Sequence, residues 1–217
     1  MFLVIILFRT RCYNFTLPQH SEKSQQLKQF PGEKVVDHPV DLKGEPNEML
    51  LNLLAGKKHN KDSIKITLIG SRESGKTALC KYLMKLPITS EYEPTVGIDM
   101  CEPGKVENVK YLLLSTSGNE SYMSLLPIYV RKSEIVLIVE RSVDYNNIVK
   151  RVREFLEVCD TSSRVVYQQQ VIVINTFDDA GWNDNKKELI FEELHREYPE
   201  LQVFFMGDLN KKSGANS

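Results

Sequence analysis

GSRESGKT, residues 70–77, decides the fold of this chain. It follows the apolar run IKITLI and leads into TALCKYLMKL, so a buried strand ends at Gly70 and a helix opens at Thr77. A loop between a strand and a helix N-terminus points backbone N–H groups at an anion, with no side chain needed between them. Gly75 lets the main chain approach a chain of phosphates, Lys76 reaches the β and γ groups, and the Thr77 hydroxyl ligates Mg²⁺. Gly70 and Ser74 complete the phosphate-binding set. Arg72 and Glu73 stand inside the loop, where small residues are more usual.

Outward from this loop, short apolar runs alternate with helical stretches. YLLLST (111–116), IVLIVE (135–140), VIVIN (171–175) and QVFF (202–205) read as further buried strands. NIVKRVREFLEVC carries apolar Ile148, Val149, Val152, Phe155 and Leu156 at helical spacing, and NKKELIFEELHREY reads as another helix. Strands apolar throughout and separated by helices imply a parallel sheet covered on both faces. The fold class is therefore α/β, doubly wound, with a mostly parallel sheet.

Residues 1–44 form an expected disordered extension, polar and broken by Pro18, Pro31, Gly32, Pro39 and Gly44 after Arg9. Its opening MFLVIILF is an apolar run of eight, far short of the ~20 residues that span a bilayer. It also lacks the basic start of a secretory signal. Residues 45–62 hold a short amphipathic helix and linker, with Met49, Leu50, Leu53 and Leu54 on one face; residues 63–217 form the main domain. With 28 basic and 29 acidic side chains, nothing favours nucleic acid as a partner. The four cysteines have no metal-ligand spacing and suit reduced thiols in the cytoplasm. The end NKKSGANS offers no cysteine for a prenyl anchor.

Four further motifs resemble the Ras superfamily of small GTPases. EYEPTVGID (91–99) is similar to the effector loop, with Thr95 in the place of the threonine that senses the γ-phosphate. STSGNESYMSLLPIYVRKSE (115–134) resembles a degraded DTAGQE segment and its helix, and NESYMSLLPIYVRKS within it resembles the Rab branch. NTFD (175–178) stands where the family carries NKxD, and FFMGDLNKKSGAN (204–216) is similar to the closing strand and SAK-type loop. The resemblance covers residues 64 to 217 and implies GTP or GDP with Mg²⁺ as ligands. It also implies effectors that meet residues 91–99 and 119–130, and a cytoplasmic location with peripheral endomembrane contact.

Carried onto this chain, the resemblance gives Thr77 and Thr95 the metal, Gly118 an N–H for the γ-phosphate, and Asn119 the place of the water-orienting glutamine. Asn119 is one methylene shorter, and a small misplacement of such a group costs up to ~100-fold in rate. Ser115 replaces the family's aspartate, so Mg²⁺ should be weakly held. Arg72 crowds the space that the attacking water and an arginine finger share; a finger supplied in cis is the less favoured reading. Hydrolysis is therefore expected to be slow or absent. At the base, Asp178 would accept two hydrogen bonds from guanine, Asn175 would tie its loop to the phosphate loop, and the Leu209 N–H would meet O6. Thr176 replaces the lysine that covers the ring. NTFD also reads as a simple polar turn, and Tyr122, Leu125, Leu126 and Tyr129 serve equally as partner surface or packing.

The family closes on a long helix that this chain does not reach, an expected C-terminal truncation. That would uncover one stripe of the sheet and the first helix. Either the helix near residues 46–56 docks there through Leu50, Leu53 and Leu54, or the product folds poorly.

Overall fold

The computed structural model describes residues 38–42, 44–53, 62–89, 92–106, 108–142, 144–162, 168–176 and 181–209. Strand β1 (Val40–Asp41) and helix α1 (Pro46–Leu53) precede β2 (Ser63–Ile69), α2 (Lys76–Leu83) and β3 (Ile98–Cys101). There follow β4 (Lys105–Val106), β5 (Val109–Thr116), a 3₁₀ turn (Glu120–Leu125), α3 (Leu126–Val130) and β6 (Ile135–Glu140). Helix α4 (Tyr145–Ser162), β7 (Gln169–Asn175), α5 (Asp184–Glu197) and β8 (Gln202–Met206) complete the series.

The described strands form one eight-stranded sheet in the order β1-β8-β7-β6-β2-β5-β3, with β4 also on β5. Strands β2, β5, β6, β7 and β8 run parallel, while β3 and β4 are antiparallel to β5. The expected α/β class and mostly parallel sheet are thus present. Period-two alternation divides β2 between two cores. Ile64, Ile66 and Leu68 join the side covered by α1 and α2, and Ile69 joins the side covered by α3, α4 and α5. In α4 the buried set Ile148, Val149, Val152, Phe155, Leu156 and Cys159 makes a stripe at helical spacing.

The sequence places residues through 44 in a disordered extension, but Val40–Asp41 pairs in parallel with Phe204 and Phe205 of β8. The Leu42 N–H donates to the Phe205 carbonyl at 2.7 Å, and Lys187 meets Asp41 at 2.7 Å. Two apolar neighbours in a buried strand give a short segment a template that its own sequence does not advertise.

Helix α1 lies against α2 and buries Met49, Leu50 and Leu53 completely; Leu54 falls outside the described residues. They pack with Leu79, Leu83, Ile66, Leu113 and Met206, and the Tyr82 hydroxyl donates to the Gly44 carbonyl at 2.9 Å. Leu50→Ala is expected to cost ~2–5 kcal/mol of stability, because a wholly buried leucine leaves a cavity its neighbours only partly fill. Chemical denaturation of the two proteins measures it; equal midpoints would show that α1 contributes no core.

Candidate functional site

In this sheet order β2 lies between β5 and β6, where successive crossovers leave in opposite directions. Ligands of open α/β sheets bind beyond the carboxyl ends of the strands at such a switch point. The loop 70–75 sits there, between the end of β2 and the start of α2. Its shape is fixed by two glycines. Gly70 has φ +147°, and a Cβ on it would run into the Val139 carbonyl of β6. Gly75 has φ +100°, and a Cβ there would strike the Asn175 amide. No side chain caps α2 at Gly75, so its first N–H groups remain directed at the loop. Glu73 also takes a left-handed φ of 61°, a conformation that glycine accepts more readily.

Three groups brace the loop. The Asn175 amide, arriving from the end of β7, donates to the Ser74 carbonyl at 3.1 Å, as the resemblance implies. The Lys76 ammonium is buried and donates to the Gly70 carbonyl (3.0 Å), the Ser71 carbonyl (2.7 Å) and the Ser74 hydroxyl (3.3 Å). Glu140 at the end of β6 accepts from the Ser71 N–H at 2.7 Å and its hydroxyl at 2.9 Å. Sequence reasoning missed Glu140. The available signal was a carboxylate closing an apolar run, since a charge in a sheet buried on both faces needs a hydrogen-bonded task.

Burial sets the electrostatics. It brings the Lys76 pKa down to about 8, against the opposing pull of Glu140. Burial also raises the Glu140 carboxyl above its ordinary range, against the Ser71 bonds and the Lys76 charge. A bound phosphate keeps the proton on Lys76, so above pH 8 binding must take up a proton. GDP affinity is therefore expected to be level below that pH and to fall as pH rises, by at most ~10-fold per pH unit. Calorimetry in two buffers of different ionisation enthalpy reads both the fall and the proton.

The Thr77 and Thr95 hydroxyls lie 3.1 Å apart. Adjacent oxygens around an octahedral Mg²⁺ at ~2.1 Å stand about 3 Å apart, so the pair fits that ion as two of its ligands. Thr77 and Thr95 would hold such a cation, whose charge would offset that of a bound phosphate. Thr95 Oγ1 also donates to Asp99 Oδ2 at 3.3 Å. Ser115 is wholly buried on β5 and supplies no carboxylate.

Gly118 lies against the phosphate loop, where a Cβ would meet the Arg72 nitrogen and Ser71 oxygen at 2.5 Å. The Asn119 Oδ1 accepts from the Ser121 N–H at 3.0 Å and caps the 3₁₀ turn. Arg72 and Asn119 share the wall of one cavity of about 410 Å³ with Ser71, Gly118, Met123 and Phe155. The Arg72 guanidinium leans over the Tyr92 ring at 5.5 Å. In the base region Asp178 lies outside the described residues, Leu209 is buried in the core, and the Thr176 hydroxyl donates to the Met206 carbonyl at 3.2 Å. Trp182 anchors its loop edge-on to Phe205, with centroids 6.2 Å apart.

A glycine cradle at the switch point, a buried lysine and paired threonine hydroxyls define a P-loop nucleotide-binding domain of the GTPase type. Residues 65–178, more than half of the chain, match the family model described as Roc, "Ras of Complex, Roc, domain of DAPkinase". The chain belongs to this family, a GTPase domain of the Ras superfamily that its motifs resemble, with GTP or GDP and Mg²⁺ as the ligands of its kind. No helix among the described residues is long and apolar enough to cross a membrane.

Proposed function

We propose that the chain is a guanine-nucleotide switch that binds GDP and GTP, with reduced affinity, and hydrolyses GTP slowly. The observation that carries the slow step is the Asn119 side chain, whose carbonyl is committed to capping the 3₁₀ turn. The cap takes one lone pair of that oxygen and fixes the rotamer of an amide already one methylene short, which opposes its use in orienting an attacking water. Arg72 lines the same cavity as Asn119, and its bulk crowds the space that an attacking water and an incoming arginine would share. Asp178 and Asn175 supply the preference for guanine, with Leu209 contributing its backbone N–H.

The effector surfaces are residues 91–99 and 119–130. Tyr92, Val96 and Ile128 support this placement, since large apolar side chains stand exposed there, Val96 at 77%. The stretch NESYMSLLPIYVRKS aligns the switch with Rab-like action in vesicle trafficking or signalling, from the cytoplasm and at the periphery of endomembranes. Complete loss of turnover would make the chain a nucleotide-holding scaffold, and the Asn119 cap favours that reading equally. Single-turnover GTP hydrolysis by the full chain tests the proposal. A rate well below the ~3–5 × 10⁻⁴ s⁻¹ of an unaided Ras-type domain is expected, and a rate at or above that scale would contradict the proposal.

A further inference from the structure

Ser115 leaves the metal site without a carboxylate on β5, yet the strand pairing brings one to the same place from β3. In the antiparallel β3–β5 ladder Asp99 stands directly opposite Ser115. Residues so paired project to one face, with Cβ atoms ~5 Å apart. Asp99 is exposed at the edge of the sheet, and its Oδ2 accepts the Thr95 hydroxyl at 3.3 Å. A threonine hydroxyl has one proton. If Thr95 gives it to Asp99, then Thr77 is the donor in the 3.1 Å contact between the two threonines. A Thr95 lone pair then faces Thr77 and accepts its proton, and a cation would take that proton's place as the Thr77 hydroxyl turns aside.

We propose that Asp99 is the carboxylate of this metal site, displaced by one strand from its usual position. It orients Thr95 by taking its proton, and it places a negative charge behind the hydroxyl that meets the cation. Outer partners of this sort hold the ligand's lone pair on the metal and raise affinity accordingly. The set is then two hydroxyl ligands with one carboxylate behind them, on three adjoining segments, and Mg²⁺ or Mn²⁺ is the class of ion it takes. The inference rests on the proposed nucleotide site.

The test uses the full chain with GDP and Mn²⁺ as a spin probe, titrated by electron paramagnetic resonance. Asp99→Asn is expected to weaken Mn²⁺ ~10- to 100-fold. Adding Ser115→Asp in the same chain should restore most of that affinity, because the carboxylate returns across the strand pair. GDP binding in excess chelator, where no metal contributes, should be the same for all three proteins. Mn²⁺ affinity within about twofold of wild type for Asp99→Asn would overturn the inference while leaving nucleotide binding intact. A loss that Ser115→Asp does not restore would mark Asp99 as a local structural residue and overturn it as well. A wild-type chain that takes no GDP would overturn the nucleotide reading and this inference together.

Discussion

Gly70→Ala is expected to disable the protein more completely than any substitution of a charged residue. Its backbone has φ +147°, and the added methyl would drive into the carbonyl of Val139, a backbone atom of the adjacent β6. That carbonyl belongs to the parallel ladder in which β6 pairs with both β2 and β7, so it has no soft direction in which to move. The loop must be displaced, and with it the Ser71 bonds to Glu140 and the Gly70 carbonyl that Lys76 contacts. Steric strain of this sort combined with lost buried hydrogen bonds places the cost at ~3 kcal/mol or more. Denaturation should show that loss, and GDP titration should show a fall beyond ~100-fold. A stable Gly70→Ala protein with near-normal affinity would show that the loop adopts another path.

Lys76→Met separates binding from folding. Methionine keeps most of the aliphatic volume and removes the ammonium. Burial already works against that charge, which is why its pKa falls to about 8. Removing it relieves this desolvation, while the Gly70 and Ser71 carbonyls lose a donor; the two effects oppose each other within a few kcal/mol. The melting temperature without nucleotide should therefore stay close to wild type. Two charge-assisted bonds to phosphate, at ~1.5–3 kcal/mol each, predict a loss of GDP affinity of at least ~100-fold. A large drop in melting temperature would show that the Lys76 bonds to its own loop outweigh the desolvation that its removal relieves.

The strands of the central sheet are legible because burial on both faces writes an unbroken apolar run, as in IVLIVE. Strand β3 is not, since Asp99 and Met100 are exposed and only its pairing with β5 makes IDMC a strand. The same edge hides the role proposed for Asp99, which depends on register with Ser115 and not on sequence spacing. Glu140 and Asn175 show the contrast within the site. Asn175 belongs to a motif with a familiar spacing, whereas Glu140 ends a strand and meets Ser71 only after 69 residues of chain have folded. Asn119 could be placed from sequence, but its use as a cap required the turn that follows it.

As a Roc-family domain the chain is of a kind that takes guanine nucleotide with Mg²⁺, and the loop 70–77 is the site proposed for it. Calorimetric titration of the full chain with GDP and then ADP, in Mg²⁺, tests it most directly. The prediction is saturable one-to-one GDP binding that weakens when Mg²⁺ is chelated, with ADP weaker by at least ~100-fold, as the proposed two-bond contact of Asp178 with guanine requires. Equal affinity for both nucleotides, or no heat from either, would contradict it.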